Sequence, residues 1–109
     1  MAKKKRDTTY IGNQWELLHS MLSGMYLEID KLCKKKPDML LSDLKIEKIN
    51  ELIFPIKEFL QDENPFVARI QPLDKEEPME LSDVIILLSQ LSKGLDAYKS
   101  KYYIDWQWN

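Results

Sequence analysis

Apolar residues recur three and four positions apart in three separate stretches of this sequence, and this spacing constrains the fold more than any other feature. It places each set of residues on one face of an α-helix. An amphipathic helix buries its apolar face against other helices, so the sequence predicts an all-α three-helix bundle. The members of the three stripes are Trp15, Leu18, Leu22, Met25, Ile29 and Leu32; Ile46, Ile49, Ile53, Ile56 and Leu60; and Val84, Leu88, Leu91, Leu95, Tyr98 and Tyr102.

Local signals set the limits of these helices. An asparagine precedes the first stripe, and a serine precedes each of the others in the repeated phrases LSDL and LSDV. Such side chains cap a helix by accepting a hydrogen bond from a backbone N–H of its first turn. The predicted caps are Asn13, Ser42 and Ser82. The predicted helices therefore span 13–36, 42–61 and 82–104.

Several residues interrupt the regular pattern inside the helices. Pro55 lacks a backbone donor and is expected to kink the second helix. Gly24 and Gly94 lie in mid-helix, where glycine often allows the close approach of a neighbouring segment. The run Val84–Leu88 is apolar on every side, so the start of the third helix is expected to be deeply buried or covered by another chain.

A long connection at 62–80 joins the second and third helices. Its three prolines exclude one continuous helix, and its length of about 18 residues exceeds the two to eight residues usual between helices. We expect Phe66, Val67 and Ile70 to fold it onto the bundle, with a short strand at 66–70 as one interpretation.

The length of this connection leaves the topology open. Fully extended, it spans about 55–60 Å, which exceeds the length of a 20-residue helix at about 30 Å. It can therefore return along the bundle, which places the third helix parallel to the second and brings Trp106 towards Trp15. If it folds locally instead, the bundle is a simple up-down-up arrangement with these tryptophans at opposite ends.

Composition favours a single cytoplasmic domain covering residues 1–109. The longest apolar run falls far short of the about 20 residues that a membrane span requires, and no apolar region follows the basic start MAKKKR as in a secretory signal. One cysteine excludes an internal disulfide. The net charge of −2 and the pI of about 5.4 are unlike those of a dedicated nucleic-acid binder.

The sequence offers little for catalysis or metal binding. His19 and Cys33 are 14 residues apart, or about 21 Å along one helix, so they cannot form a dyad, and they are too few for a zinc site. Glu47 and Glu51 share a helix face, but the nearby lysines, Lys45 and Lys48, favour a solvated ion-paired surface. We therefore predict no catalytic, cofactor-binding or metal-binding residues, no small-molecule substrate and no enzyme.

The C-terminal stretch 98–109 holds five of the eleven aromatic residues of the chain. Tyr98 and Tyr102 continue the third stripe and are expected in the core. The others are predicted as a protein interface, since tyrosine and tryptophan are enriched at interface hot spots: Tyr103, Trp106 and Trp108. Packing back onto the chain's own bundle is the first interpretation of these residues, the protein interface is the second, and stacking on nucleic-acid bases is the third.

The leading interpretation is a small non-enzymatic cytosolic interaction or regulatory protein, an adaptor acting by protein–protein recognition, with self-association as a further expectation. The alternative is a nucleic-acid-associated accessory protein that uses a flexible basic arm at 1–11 and the lysines that close the first helix. Its site residues are Lys3, Lys4, Lys5, Arg6, Lys34, Lys35 and Lys36.

Overall fold

A computed structural model describes residues 8–61 and 64–102 of the chain. Within these residues the protein consists of four α-helices and one isolated β-bridge, with no strand. The helices are α1 (Thr8–Lys35), α2 (Asp43–Leu60), the short α3 (Pro65–Ala68) and α4 (Leu81–Tyr102). The prediction of an all-α bundle with three long helices is confirmed.

The first helix begins five residues before the predicted start. Residues 8–11, assigned from the sequence to the flexible arm, belong to α1, and Ile11 is buried. Ile11 extends the apolar stripe backwards from Trp15 by one helical step of four, which explains the longer helix. Asn13 is therefore an exposed residue inside the helix and not its N-cap.

One of the two serine caps forms as predicted. The Ser42 hydroxyl accepts a hydrogen bond from the backbone N–H of Lys45 at 3.3 Å, and Ser42 has the extended backbone typical of an N-cap. Below this cap, Leu41 and Ile46 are both buried. The helix α2 then continues through Pro55 without ending.

Ser82 is not a cap, because α4 begins one residue earlier, at Leu81, where tertiary hydrogen bonds hold the start of the helix. The Leu81 N–H donates to the carbonyl of Met39 at 2.9 Å, and the Ser82 N–H donates to the carbonyl of Pro37 at 3.1 Å. These bonds tie the beginning of α4 to the connection between α1 and α2. The first N–H groups of the helix thus have backbone partners and need no serine.

The segment predicted as a strand at 66–70 begins as a helix instead. The Asn64 side chain caps α3 by accepting hydrogen bonds from the backbone N–H groups of Phe66 at 3.0 Å and Val67 at 3.1 Å. Val67 and Ile70 are buried as expected, whereas Phe66 is 72% exposed. The prediction that Phe66 folds onto the bundle is therefore wrong.

The connection returns along the bundle, which is the first of the two topologies that the sequence allowed. Trp15 near the start of α1 contacts Leu95 near the end of α4, so these helices are antiparallel. Phe59 near the end of α2 contacts Tyr98 near the end of α4, so these two are parallel. We call residues 69–80, which run back beside α2, the return segment.

The core lies between the three long helices. It is formed by apolar side chains, and no polar or charged side chain among the described residues is buried. Val84 and Leu88 are fully buried, as predicted for the start of the last long helix, but Ile86 between them is 57% exposed. None of the described helices has a stretch apolar enough to cross a membrane.

Candidate functional site: a groove between α2 and the return segment

A groove of about 460 Å³ lies between α2 and the segment that runs back beside it. One wall comes from α2 and from Gln61 directly after it, and the other comes from the end of α3 and from the return segment. The lining residues are Asn50, Ile53, Phe54, Lys57, Glu58, Gln61, Ala68 and Pro72.

Asn50 attaches the return segment to α2. Its Nδ2 donates to the Leu73 carbonyl at 3.0 Å, and its Oδ1 accepts from the Leu73 N–H at 2.7 Å. A side-chain amide has one donor group and one acceptor, so it matches both backbone groups of one residue. This pair of bonds sets the position of the return segment along the helix.

A second attachment lies about two turns further along the helix. The ammonium group of Lys57 donates a hydrogen bond of 2.6 Å to the carbonyl of Ile70. A hydrogen bond from a charged donor is stronger than a neutral one. Lys57 and Asn50 thus hold the two ends of the segment 70–73, and the groove wall between them is preorganised.

An ion pair at the surface continues this attachment. Lys75 Nζ lies 2.6 Å from Glu47 Oε1, and both side chains are largely exposed. The hydrogen bond from Lys75 lowers the pKa of the Glu47 carboxyl, and the same bond raises the pKa of Lys75. Glu47 lies on a solvated face, as predicted, but its partner is Lys75 and not a lysine nearby in the sequence. Lys45 pairs instead with Glu28 of α1 at 2.5 Å.

Two phenylalanines are exposed in this region of the chain. Phe54 lines the groove and is 67% exposed, and Phe66 on α3 is 72% exposed. Exposed apolar residues are common when they are isolated. Phe54 differs from an isolated residue because it lies beside a preformed apolar concavity, which is the usual form of a binding site.

The only histidine, His19, belongs to α1 and faces α4. Its ring stacks on Trp15 with centroids 4.5 Å apart, and its Nε2 is 3.7 Å from Asp96 Oδ1. Lys99 Nζ is 4.7 Å from the centroid of the same Trp15 ring. His19 thus lies at the interface between two helices. Within the described residues, no three His, Cys, Asp or Glu side chains lie close enough to hold a metal ion.

Three of the predicted site residues lie within the described part of the chain. Lys34, Lys35 and Lys36 are exposed at the end of α1, where Lys34 pairs with Asp30 at 3.2 Å. The 28 residues of α1 separate this end from Thr8 by about 42 Å. Tyr98 and Tyr102 are half-buried against the core, as predicted. The other predicted residues, Lys3, Lys4, Lys5, Arg6, Tyr103, Trp106 and Trp108, lie outside the described residues.

Nothing in the sequence signalled the groove. Asn50 is a polar helix residue outside the apolar stripe, like many others, and its partner Leu73 lies 23 positions away. Comparison with known proteins does not assign it either: no family model, curated protein or solved structure matches this chain.

Proposed function

We propose that this protein is a small non-enzymatic cytosolic adaptor or regulatory protein that recognises a segment of a partner protein in the groove between α2 and the return segment. The observation that carries the proposal is the preformed apolar concavity beside exposed Phe54. The proposed ligand is a peptide segment with one apolar anchor side chain flanked by basic residues.

Two of the polar side chains that line the groove, those of Asn50 and Lys57, support an apolar anchor because the return segment already uses them. Both functions of the Asn50 amide are used by Leu73, and Lys57 is bonded to Ile70. An apolar side chain that enters the groove therefore leaves these groups hydrogen-bonded, which avoids the about 1–3 kcal/mol that an unsatisfied buried polar group costs. It also gains the free energy of removing apolar surface from water.

The charges at one end of the groove support basic flanking residues. Leu73, bonded to Asn50, is followed by exposed Asp74, Glu76 and Glu77, and Lys75 is the one basic residue in the stretch 74–77. Lys75 is already paired with Glu47. Complementary charge steers association and excludes partners of the wrong sign, so a segment rich in lysine or arginine is favoured over an acidic one.

A peptide selection tests this proposal. Random peptides displayed on phage are selected on the full chain and then screened on Ala68→Glu, which places a carboxylate in the groove. Phe66→Ala is the matched control, since it removes an exposed ring from the same short helix outside the groove lining. We expect selected peptides to share an aromatic or aliphatic anchor beside basic residues and to bind Ala68→Glu at least tenfold more weakly, with no change on Phe66→Ala.

The opposite results would reject the proposal. Peptides that bind the wild type and Ala68→Glu equally well would show that the groove is not the site. An enrichment of acidic peptides would contradict the charge argument. Self-association is part of the same proposal, and sedimentation that gives a strict monomer at high concentration would remove that part. Tyr103, Trp106 and Trp108 remain predicted as further protein contacts.

The second candidate function is association with single-stranded nucleic acid. One observation favours it: the antiparallel packing of α1 and α4, with Trp15 against Leu95 and Lys99, puts Thr8 and Tyr102 at the same end of the bundle. The basic sequence before Thr8 and the aromatic sequence after Tyr102 are therefore joined to the same end of the bundle. Binding sites for single-stranded nucleic acid combine basic and aromatic residues. This function predicts retention on heparin that falls steeply with salt. An absence of retention at low salt would eliminate it.

A further inference from the structure

We propose that Phe54 and Glu58 of α2 together bind an arginine side chain of the ligand, with its guanidinium group stacked on the Phe54 ring and paired with the Glu58 carboxylate. This inference rests on the recognition function proposed above and deepens it, since both residues line the same groove. It assigns one basic residue of the ligand to a defined position and names that residue as arginine.

The two side chains are neighbours on the surface of α2. Phe54 and Glu58 are four positions apart in the helix, so they lie one above the other on the same face. Both are exposed, and both contribute to the lining of the groove. A ligand in the groove therefore meets an aromatic ring and a carboxylate side by side.

The charge of Glu58 is available to a ligand. Among residues 8–61 and 64–102, Glu58 takes part in no ion pair, whereas Glu47 of the same helix is paired with Lys75. Of the described residues that line the groove, Glu58 is the one with an acidic side chain. A carboxylate in this position favours a ligand with a positive charge facing it.

The one basic side chain among these lining residues, Lys57, restricts where a positive charge can bind. Its ammonium group is held at 2.6 Å by the carbonyl of Ile70, on the wall formed by the return segment. Consecutive helix residues point about 100° apart, so Lys57 and Glu58 direct their charges towards different parts of the groove. A cation of the ligand is therefore expected beside Glu58 and away from Ile70.

This position lies at some distance from the other acidic part of the groove. The acidic stretch that begins at Asp74 follows Leu73, which is bonded to Asn50. Asn50 precedes Glu58 by eight residues, or about 12 Å along the helix axis. Because an extended peptide advances by about 3.3 Å per residue, we expect the two basic positions of the ligand to be about four residues apart, with the apolar anchor between them.

A ring next to a carboxylate distinguishes arginine from lysine. The guanidinium group is planar, stacks on aromatic faces and pairs with a carboxylate through two parallel hydrogen bonds. The ammonium group of lysine is a compact and more strongly hydrated charge that lacks this flat surface. Phe54 and Glu58 therefore form a better site for arginine than for lysine.

The peptide selection described above tests this inference when it is run in parallel on wild type, Glu58→Gln and Glu51→Gln. Glu51→Gln is the matched control, because it removes the same charge from an exposed position of α2 that is not among the lining residues. We expect arginine to be enriched at one position in peptides selected on wild type and on Glu51→Gln, but not on Glu58→Gln. Phe54→Leu, which keeps an apolar side chain and removes the ring, should reduce the preference for arginine over lysine.

A selected peptide and its citrulline version then isolate the contact, since citrulline has the shape of arginine without its charge. Isothermal titration calorimetry of both peptides on wild type and on Glu58→Gln completes a double-mutant cycle. We expect citrulline to weaken binding about fivefold on wild type and about twofold or less on Glu58→Gln. The effect on wild type should shrink in high salt.

The possible failures are distinguishable. Peptides that are weakened by Ala68→Glu but show the same arginine preference on Glu58→Gln would overturn this inference and leave the proposed function standing. Equal affinity for the arginine and citrulline peptides, or an arginine preference that Phe54→Leu leaves unchanged, would overturn it in the same way. A selection without enrichment, or with peptides that Ala68→Glu does not weaken, would reject the proposed function and this inference with it.

Discussion

The indole Nε1 of Trp15 donates a buried hydrogen bond of 2.7 Å to the carbonyl oxygen of Leu95, 80 positions later in the chain. This contact joins the beginning of α1 to the end of α4 and sets the two helices antiparallel. Trp15 is only 5% exposed, so its N–H has no access to bulk water as an alternative partner. The bond therefore links the orientation of the last helix to the stability of the whole bundle.

Trp15→Phe should destabilise the protein by about 1–3 kcal/mol, because it removes the donor and shrinks a core side chain. His19→Ala is the matched control, since it removes a partly exposed ring from the other side of the same stack. Urea unfolding followed by far-ultraviolet circular dichroism measures both. Equal losses for the two variants would contradict the role assigned to the hydrogen bond.

Gly94→Ala should lower the free energy of unfolding, although alanine favours helices by about 1 kcal/mol. A Cβ at this position would lie 2.7 Å from Val67 Cγ2 and 3.1 Å from Leu60 Cδ1. Overpacking of this kind costs about 1–3 kcal/mol, and the stiff valine side chain adjusts little.

Gly24→Ala is the matched control for that variant. Nothing lies within 4 Å of a Cβ at position 24, which is exposed in α1. The helix preference of alanine should then raise the unfolding free energy by up to about 1 kcal/mol. Thermal unfolding of both variants should give shifts of opposite sign, and a stabilised Gly94→Ala would refute the close packing of α3 on α4.

Asn50→Ala should release the return segment while leaving the helices folded. The substitution removes both hydrogen bonds to Leu73, each worth about 1 kcal/mol. We expect trypsin to cleave after Arg69 and Lys75 faster than in the wild type, with unchanged helical content. Glu51→Ala, on the solvent side of the same helix, is the control, and equal cleavage rates for the two variants would argue against the attachment.

The Glu47–Lys75 pair should make a pH-dependent contribution to stability. The pKa of Glu47 is lowered in the folded protein, so its contribution is present above the unfolded pKa and is lost as pH falls through the folded value. The pKa of Lys75 is raised, so its contribution is present below its unfolded pKa and is lost as pH rises through the folded value.

The stability difference between wild type and Lys75→Met should therefore be greatest near neutral pH and disappear well below pH of about 4. It should also shrink in high salt, because exposed pairs are screened. Urea unfolding at neutral and acidic pH, each with and without added salt, measures this difference. A difference that persists unchanged at acidic pH would contradict the ion pair.

Local patterns predicted a large part of this fold but none of its groove. The spacing of apolar residues identified the three long helices, and Ser42 caps α2 as its sequence context indicates. Ser82 has the same context, yet its backbone N–H donates to Pro37. The difference lies in a partner 45 positions away, which no local pattern contains.

The same reason explains the errors at 66–70 and around Glu47. Asn64 caps a short helix that begins at the next residue, and this helix forms despite the strand preference of the residues that follow. Glu47 has lysines nearby in the sequence, but Lys75 reaches it because the return segment lies against α2. Opposite charges that are close in the sequence can pair, but the tertiary structure determines which charges are close in space.

The sequence alone determined the presence of the three long helices and which of their faces enter the core, because backbone hydrogen bonding and apolar periodicity act over a few residues. It left the direction of α4 open, because the connection at 62–80 is long enough for either topology. Only the tertiary structure decided between them, through contacts such as Trp15 with Leu95 and Asn50 with Leu73. Those contacts join residues distant in the chain, and the groove exists only where they bring α2 and the return segment together.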